Sequence, residues 1–215
     1  MLSKKHVFIV VFSVLIFDQF TKIYIKTHFV LGQEWVFFDW FKILFVENEG
    51  MAWGAKLSDF SSFISDKTAK LALTLFRLIA VVGIGYWLHT SMKKQTSAHL
   101  IYAIALIFSG ALGNIIDSVF YGLVFDDSLG QKATLFAEDN YGSLFYGKVV
   151  DMLHFPIVKG YLPDWIPVFG GDYFTFFNPV FNVADVAIST GVGLLLFYNN
   201  KAFESKQKTT QSDKS

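Results

Sequence analysis

Long apolar runs alternate with polar stretches along this chain. A helix that spans a membrane needs about 20 predominantly apolar residues, and four windows reach that length. They are residues 6–26, 70–90, 99–122 and 178–198. The pattern therefore predicts a membrane all-α fold with four transmembrane helices.

Lysines mark the short polar flanks of these windows. They lie before the first window, between the second and third, and after the fourth, as Lys4, Lys5, Lys93, Lys94, Lys201, Lys206 and Lys208. Because short cytoplasmic flanks carry an excess of lysine and arginine, we expect both termini to be cytoplasmic. Residues 27–69 and 123–177 are then long outer segments. Residues 1–200 are expected to form a single membrane domain, and the polar residues 201–215 a disordered cytoplasmic tail.

Residues 35–46 differ from the apolar windows because aromatic and β-branched residues dominate them. Such residues favour strands, so the segment predicts a small extracytoplasmic β-sheet at the membrane surface. One interpretation is an amphipathic hairpin that lies against the bilayer. The other is a platform that holds an extended substrate, and the pattern does not distinguish between them.

Composition and charge exclude several classes of protein. Hydrophobic residues make up 53% of the chain, which favours an integral membrane protein over a soluble domain. The formal net charge is zero and no basic patch interleaves with aromatic residues, so nucleic acid is not an expected partner. Cysteine is absent, which excludes disulfides, thiolate nucleophiles and cysteine zinc sites. The histidines have no metal-site spacing, so we expect no metal and no cofactor.

Two apolar windows contain the same polar pattern, Asn-x-x-Asp. Asn114 and Asp117 form one copy, and Asn182 and Asp185 form the other. A spacing of three residues places each pair on one helix face. Because ionisable groups in apolar spans are costly, they are retained chiefly where they do chemistry or line a polar pathway. The repeat therefore predicts a site with paired carboxylates.

Helix geometry places three acids at a similar depth. With a rise of about 1.5 Å per residue, Asp185 is expected about 10 Å, and Asp117 about 8 Å, below the outer ends of their windows. Asp18 is expected about 18 Å from the cytoplasmic side of a hydrocarbon core that is roughly 30 Å thick. All three acids fall in the outer half, which favours a shared functional site. The alternative is a buried polar network that merely holds the helices together.

From the residues alone, a protease and a proton-coupled transporter or channel both fit these acids, and a non-enzymatic scaffold is a third class. Asp151 lies outside the four windows and, taken alone, is an acid in a loop. The small residues 109–113 predict close helix packing rather than a phosphate-binding loop.

Five motifs, in order along the chain, resemble those of lipoprotein signal peptidase, the signal peptidase II family of intramembrane aspartyl proteases. They are Asp18-Gln19-x-Thr21-Lys22, Asn48-x-Gly50-x-Ala52-Trp53-Gly54, Gly110-Ala111-Leu112-Gly113-Asn114-x-x-Asp117, Val149-Val150-Asp151 and Phe181-Asn182-x-Ala184-Asp185. Five ordered motifs are a specific match, and they cover most of the chain.

The resemblance implies that Asp151 and Asp185 are the catalytic pair, with Asp117 as a supporting acid. It also implies substrate-binding or supporting roles for a wider set of residues. That set is Asp18, Lys22, Asn48, Gly50, Asn114, Asp117, Asn182 and Ala184. The asparagines are expected to orient the acids or the substrate backbone, and their alternative role is helix capping or interhelical hydrogen bonding.

The resemblance further implies an aspartic endopeptidase of the bacterial cytoplasmic (inner) membrane. Its substrate would be a diacylglyceryl-modified prolipoprotein, cut immediately before the lipidated cysteine. Membrane lipids are the other expected partners, and we expect a monomer.

Two features depart from the family pattern. Ser118 stands where the family usually has arginine, so the role of that cation is either lost or supplied by another residue such as Arg77. The segments 118–150 and 152–184 are also longer than is usual in the family. We interpret the first as a mobile outer lid because it is rich in acids and glycines, namely Asp126, Asp127, Gly130, Glu138, Asp139 and Gly142.

Overall fold

The computed structural model describes most of the chain. The described residues are 3–49, 65–161, 163–165, 167, 171–176 and 178–198. Gly50 and the rest of its motif, residues 52–54, lie outside the described residues, as does the tail 201–215. The predictions made for those positions therefore stay predictions.

The helices of the described residues correspond to the four apolar windows. They are α1 (Lys4–His28), α2 (Asp66–Lys93), α3 (Ala98–Ile116), a π-helical turn (Asp117–Tyr121), α4 (Gly122–Val124) and α5 (Val183–Phe197). Within the described residues, three helical segments are long and apolar enough to cross a membrane: Lys4–His28, Asp66–Lys93 and Ala98–Val124. The fold therefore has membrane-like helices, as the pattern predicts.

The fourth apolar window is helical over less of its length than predicted. Its helix α5 begins at Val183 rather than at residue 178 and has 15 residues, which correspond to about 22 Å. Pro179 has no backbone N–H to donate, and Val180 and Phe181 form a strand instead. Asp185 consequently lies in the first turn of α5, not two turns inside a helix as the depth estimate assumed.

Short antiparallel strands are the other regular elements of the residues that the structure describes. They are β1 (Glu34–Phe38), β2 (Phe41–Asn48), β3 (Val149–His154), β4 (Val158–Tyr161), β5 (Tyr173–Phe176) and β6 (Val180–Phe181). One sheet has the order β1-β2-β3-β6, and β4 pairs with β5 in a second. The strands β1 and β2 confirm the sheet predicted in residues 35–46. The strand β3 lies between β2 and β6, and it carries Asp151.

The chain divides into two compact units. The helical unit comprises Met1–Phe20, Leu73–Ile116 and Val183–Ser215, and the sheet unit comprises Thr21–Ala72 and Asp117–Asn182. The core of the helical unit is formed by apolar side chains of α1, α2 and α3. They are Val7, Val11, Leu88, Leu100, Ile101, Ile104 and Ala105. Other large apolar side chains of α1 and α2, such as Phe8, Phe76 and Ile79, are exposed, which suits helix faces that contact lipid.

Glycines bring α3 and α5 into close contact within the helical unit. A Cβ atom at Gly110 would lie 2.2 Å from the carbonyl oxygen of Ala184, and one at Gly191 would lie 2.6 Å from that of Ala103. Both distances are too short for any side chain. The small residues 109–113 therefore serve helix packing, as predicted.

Hydrogen bonds fasten the long segment after the π-helical turn to the rest of the sheet unit. The carbonyl oxygens of Ser118 and Val119 accept the N–H groups of Gly147 and Phe145, each at 2.9 Å. Farther along, Ser128 is fully buried, and its carbonyl oxygen accepts the N–H of a residue in the loop after α1, at 3.1 Å. These contacts argue against the interpretation of the segment as a freely mobile lid.

The close approach of α3 and α5 predicts that Gly110→Ala destabilises the protein. The added methyl group must displace the Ala184 carbonyl or the helix that carries it, and overpacking of this kind costs about 1–3 kcal/mol. Gly83→Ala in α2 is the matched control, because a Cβ atom there meets nothing within 4 Å. Thermal unfolding in detergent should show a lower midpoint for Gly110→Ala and an unchanged or higher one for Gly83→Ala. Equal midpoints for the two variants would contradict the packing described here.

Candidate active site

Asp151 lies on the buried strand β3 and is held by two asparagines of the sheet unit. The Asn182 side-chain amide donates to its Oδ1 at 2.7 Å, and the Asn48 amide donates to its Oδ2 at 3.2 Å. Asp151 is 3% exposed. One hydrogen bond comes from the last residue of β2 and the other from the residue after β6. Both neighbours of β3 therefore fix the plane of the carboxylate.

Strand pairing explains how Asp151 and Asn48 come to the same face of the sheet. Val46 is the partner of Asp151, and Val149 is the partner of Asn48. Side chains two residues apart on a strand share a face, so Asn48 lies diagonally across from Asp151. Sequence reasoning alone assigned Asp151 to a loop. The two β-branched residues before it, Val149 and Val150, are the strand signal that was available.

Asp117 and Lys22 form a buried ion pair in the sheet unit. The Lys22 Nζ atom lies 2.9 Å from Asp117 Oδ2, and both side chains are fully buried. The same oxygen accepts the backbone N–H of Val150 at 3.3 Å. Asp117 thus supports the residue that precedes Asp151 in the chain. Lys22 supplies a cation to Asp117 in a chain that has Ser118 at the usual arginine position.

The other half of the predicted pair, Asp185, lies in the helical unit. The Asn114 side-chain amide donates to Asp185 Oδ1 at 2.8 Å. The two residues belong to different copies of the Asn-x-x-Asp pattern, one on α3 and one in the first turn of α5. One residue from each copy of the pattern, Asn114 and Asp185, therefore takes part in this hydrogen bond.

Asp18 stabilises the beginning of α5 in the helical unit. Its Oδ1 atom accepts the backbone N–H of Ala184 at 2.8 Å. The first N–H groups of a helix have no partner within the helix, and a negative charge there also interacts favourably with the helix dipole. Gln19, whose side chain sequence reasoning did not assign to the site, donates to Asp18 Oδ2 at 3.1 Å and to the carbonyl oxygen of Gly113 at 3.2 Å. Asp18 is thus held in place while it holds the turn that carries Asp185.

The predicted site residues therefore form four described groups. Asp151 contacts Asn48 and Asn182, Lys22 pairs with Asp117, Asn114 contacts Asp185, and Asp18 contacts the backbone of Ala184. The first two groups belong to the sheet unit and the last two to the helical unit. The remaining predicted residue, Gly50, lies outside the described residues.

Known proteins are similar to this chain in sequence and in fold. The sequence model of a family described as signal peptidase (SPase) II matches residues 10–200. The lipoprotein signal peptidase of Porphyromonas gingivalis is 45% identical over 184 residues, which cover 85% of this chain and 77% of the relative. That of Amoebophilus asiaticus is 37% identical over 188 residues, which cover 84% and 72%.

A solved structure described as a bacterial membrane enzyme has a similar fold. It superposes with a TM-score of 0.59 at 25% sequence identity, and the match covers 92% of this chain and 94% of that one. A second structure with the same description gives a TM-score of 0.56, also at 25% identity. With a family match that extends from α1 to the end of α5, this chain belongs to the signal peptidase II family and is a protease of the lipoprotein signal peptidase type.

Proposed function

We propose that this protein removes the signal peptide of diacylglyceryl-modified prolipoproteins, cutting immediately before the lipidated cysteine, with Asp151 and Asp185 as its catalytic pair. One observation carries the assignment of the pair. In a chain of this family, each of these two acids accepts a hydrogen bond from an asparagine of the family motifs, Asp151 from Asn48 and Asn182 and Asp185 from Asn114.

Chain connectivity supports the pairing of the two acids. Asn182, which binds Asp151, is three residues before Asp185. Consecutive Cα atoms are 3.8 Å apart, so the Cα atoms of Asn182 and Asp185 are separated by at most about 11 Å. Asp151 is therefore hydrogen-bonded to a residue only three positions before Asp185, although the two acids themselves are 34 positions apart in the sequence.

Two carboxylates can hydrolyse a peptide bond without a nucleophilic side chain. Like charges a few Å apart cannot both ionise cheaply, so one acid keeps a proton while the other is a carboxylate. The carboxylate removes a proton from water, and the oxygen of that water attacks the scissile carbonyl carbon while the protonated acid donates to the carbonyl oxygen. A proton is then transferred to the amide nitrogen, the carbon–nitrogen bond breaks, and the acids return to their starting state. The apparent pKa values belong to the pair, so base and acid are not assigned individually.

The asparagines suit this chemistry because a carboxamide does not titrate. The Asn48, Asn182 and Asn114 amides can therefore hold the acids in one orientation while protons are exchanged. The Asp117–Lys22 ion pair acts indirectly, because Asp117 accepts the backbone N–H of Val150, the residue before Asp151.

The proposal includes the arrangement of the chain in the membrane. We propose four spans in the bacterial inner membrane, both termini in the cytoplasm and the sheet on the outer side, in a monomer. The lysine flanks support the orientation, and α5 is the shorter fourth span. A lipid-bearing substrate suits a protease of this kind, since its acyl chains can remain in the bilayer while the peptide reaches the acids. The transporter alternative loses its support because the chain belongs to a protease family.

The catalytic assignment predicts that Asp151→Asn and Asp185→Asn each abolish cleavage. Asparagine keeps the size and much of the hydrogen bonding but removes the titratable proton, so the rate should fall by about three or more orders of magnitude. The double variant should be little worse than either single one, because the pair acts as a unit. Cleavage of a diacylated prolipoprotein peptide by purified protein measures the effect.

Asp139→Asn is the matched control for these variants. Asp139 is an exposed acid of the outer segment, and its loss should leave cleavage unchanged. A well-folded Asp151→Asn or Asp185→Asn protein that still cleaves at a rate near the wild-type rate would refute the catalytic assignment.

The orientation can be tested with single cysteines, because the chain has none of its own. An impermeant thiol reagent applied to intact cells with a permeable outer membrane should label Asn140→Cys and spare Gln95→Cys. Labelling of position 95 without labelling of position 140 would show that the orientation is reversed.

A further inference from the structure

A second group of charges lies in the sheet unit beside the strand that carries Asp151, and two of its three members are buried. Lys26, near the end of α1, pairs with Glu47 of β2, and the Lys148 Nζ atom lies 3.2 Å from Glu47 Oε2. The side chains of Lys26 and Glu47 are 1% and 3% exposed, and that of Lys148 is 28% exposed. None of these residues belongs to the five family motifs, and the proposed mechanism does not use them. We call this group the Lys26–Glu47–Lys148 cluster.

The cluster lies on the opposite face of the sheet from Asp151. Glu47 is the strand partner of Val150, whereas Val46 is the partner of Asp151. Because successive side chains on a strand point to opposite faces, Glu47 faces away from the side on which Asn48 contacts Asp151. Lys148 immediately precedes β3, so its ion pair with Glu47 connects the beginning of β3 to the end of β2.

The long segment after the π-helical turn covers the two buried members of the cluster, Lys26 and Glu47. Ser128 donates to Glu47 Oε1 at 2.8 Å and accepts from Lys26 Nζ at 2.8 Å. The rings of Tyr141 and Phe125 lie 4.8 and 5.3 Å from the Lys26 ammonium, within the range of cation–π attraction. The Tyr141 hydroxyl also accepts the backbone N–H of Lys148 at 2.8 Å.

The burial of Lys26 and Glu47 is weak evidence that their ion pair stabilises the fold. Burial would by itself raise the pKa of Glu47, but the Lys26 ammonium, the hydrogen bonds from Lys26 and Ser128, and the charge of Lys148 together hold that pKa below its ordinary value. Glu47 is therefore a buried carboxylate. Buried ion pairs often stabilise a fold no better than apolar residues would, and their best-supported use is to specify one register.

Register is what the catalytic assignment requires of β2 and β3. A slip of one residue moves every side chain of a strand to the other face of the sheet, which would replace Asp151 by Val150 or Met152 beside Asn48. We propose that Lys26, Glu47 and Lys148 are positioning residues that lock β3 in register against β2, with the segment around Ser128 and Tyr141 as the cover of that lock. This inference rests on the proposed catalytic role of Asp151.

Glu47→Gln tests the lock, because glutamine keeps the shape of the side chain and removes its charge. We expect kcat to fall roughly 10-fold to 100-fold, the penalty of a small misplacement of a reacting group, with little change in KM. Glu34→Gln is the matched control. It breaks the exposed Lys42–Glu34 pair of the same sheet, which is 2.9 Å long, and should leave both constants unchanged. A Glu47→Gln protein with full kcat would overturn the inference.

A disulfide separates loss of register from other effects of the substitution. Ile43 and Leu153 are strand partners on β2 and β3, and opposed residues of antiparallel strands have Cα separations of about 4.5–5.5 Å, within the range of a disulfide. The double variant Ile43→Cys/Leu153→Cys can therefore form a disulfide, but the register shifts at a β-bulge between Ile43 and Val46, so loss of the bulge still permits a one-residue slip at Asp151. Its oxidation holds β2 and β3 together without fixing that register, and kcat of the Glu47→Gln protein should therefore stay low. A disulfide that restores full kcat would show that strand separation, rather than a slip, lowers it, and would overturn the register lock.

Two further arms keep the test decisive. If Glu47→Gln does not fold, Lys148→Gln takes its place, since it leaves the Lys26–Glu47 pair intact, and full kcat in that variant would overturn the inference. Asp151→Asn is assayed alongside. An inactive Asp151→Asn protein beside a fully active Glu47→Gln protein refutes only the lock, whereas an active Asp151→Asn protein refutes the proposed function itself.

Discussion

A carboxylate can be buried only where donors or cations surround it, and this constraint governs the site residues of both units. Asp117 has Lys22 and a backbone N–H, Asp151 has two carboxamides, and Asp18 has the first turn of a helix. In each case at least one donor comes from a distant part of the sequence. These acids are hydrogen-bonded only when distant segments of the chain come together. The need for such hydrogen bonds therefore helps to specify the fold.

In the helical unit, the close packing of α3 and α5 and the hydrogen bonding of the Asp18 carboxylate depend on each other. A Cβ atom at Gly113 would lie 2.6 Å from Asp18 Oδ2, and one at Gly110 would strike the Ala184 carbonyl. The absence of side chains on this face of α3 leaves the space that the Asp18 carboxylate and the first turn of α5 occupy. A glycine there does more than permit close packing, because it also admits the charge that stabilises the helix end.

The hydrophobic pattern of the chain predicted those structural features that depend on local sequence. The apolar helices and the strand segment 35–46 follow from composition and periodicity, and so does the small-residue face of α3. The strand position of Asp151 did not follow, since the partners that define it are 103 and 31 positions away, at Asn48 and Asn182. Glu47 gave no signal either, because a lone acid in a strand usually reads as a solvated residue. Its burial depends on Lys26 and Ser128, and the sequence pattern does not show those contacts.

The fastening of the segment after the π-helical turn bears on how such a protein evolves. The N–H of Gly142 donates to the carbonyl oxygen of Gly122 at 3.0 Å, and that of Gly147 donates to Ser118. The segment is therefore joined to its base on both sides, and Ser128 and Ala133 within it are buried. The exposed residues 138–140 are the part that can change length. Extending a closed loop costs little free energy, because the entropic cost grows only with the logarithm of its length. A change of length at that point can thus leave the junction with the helix intact.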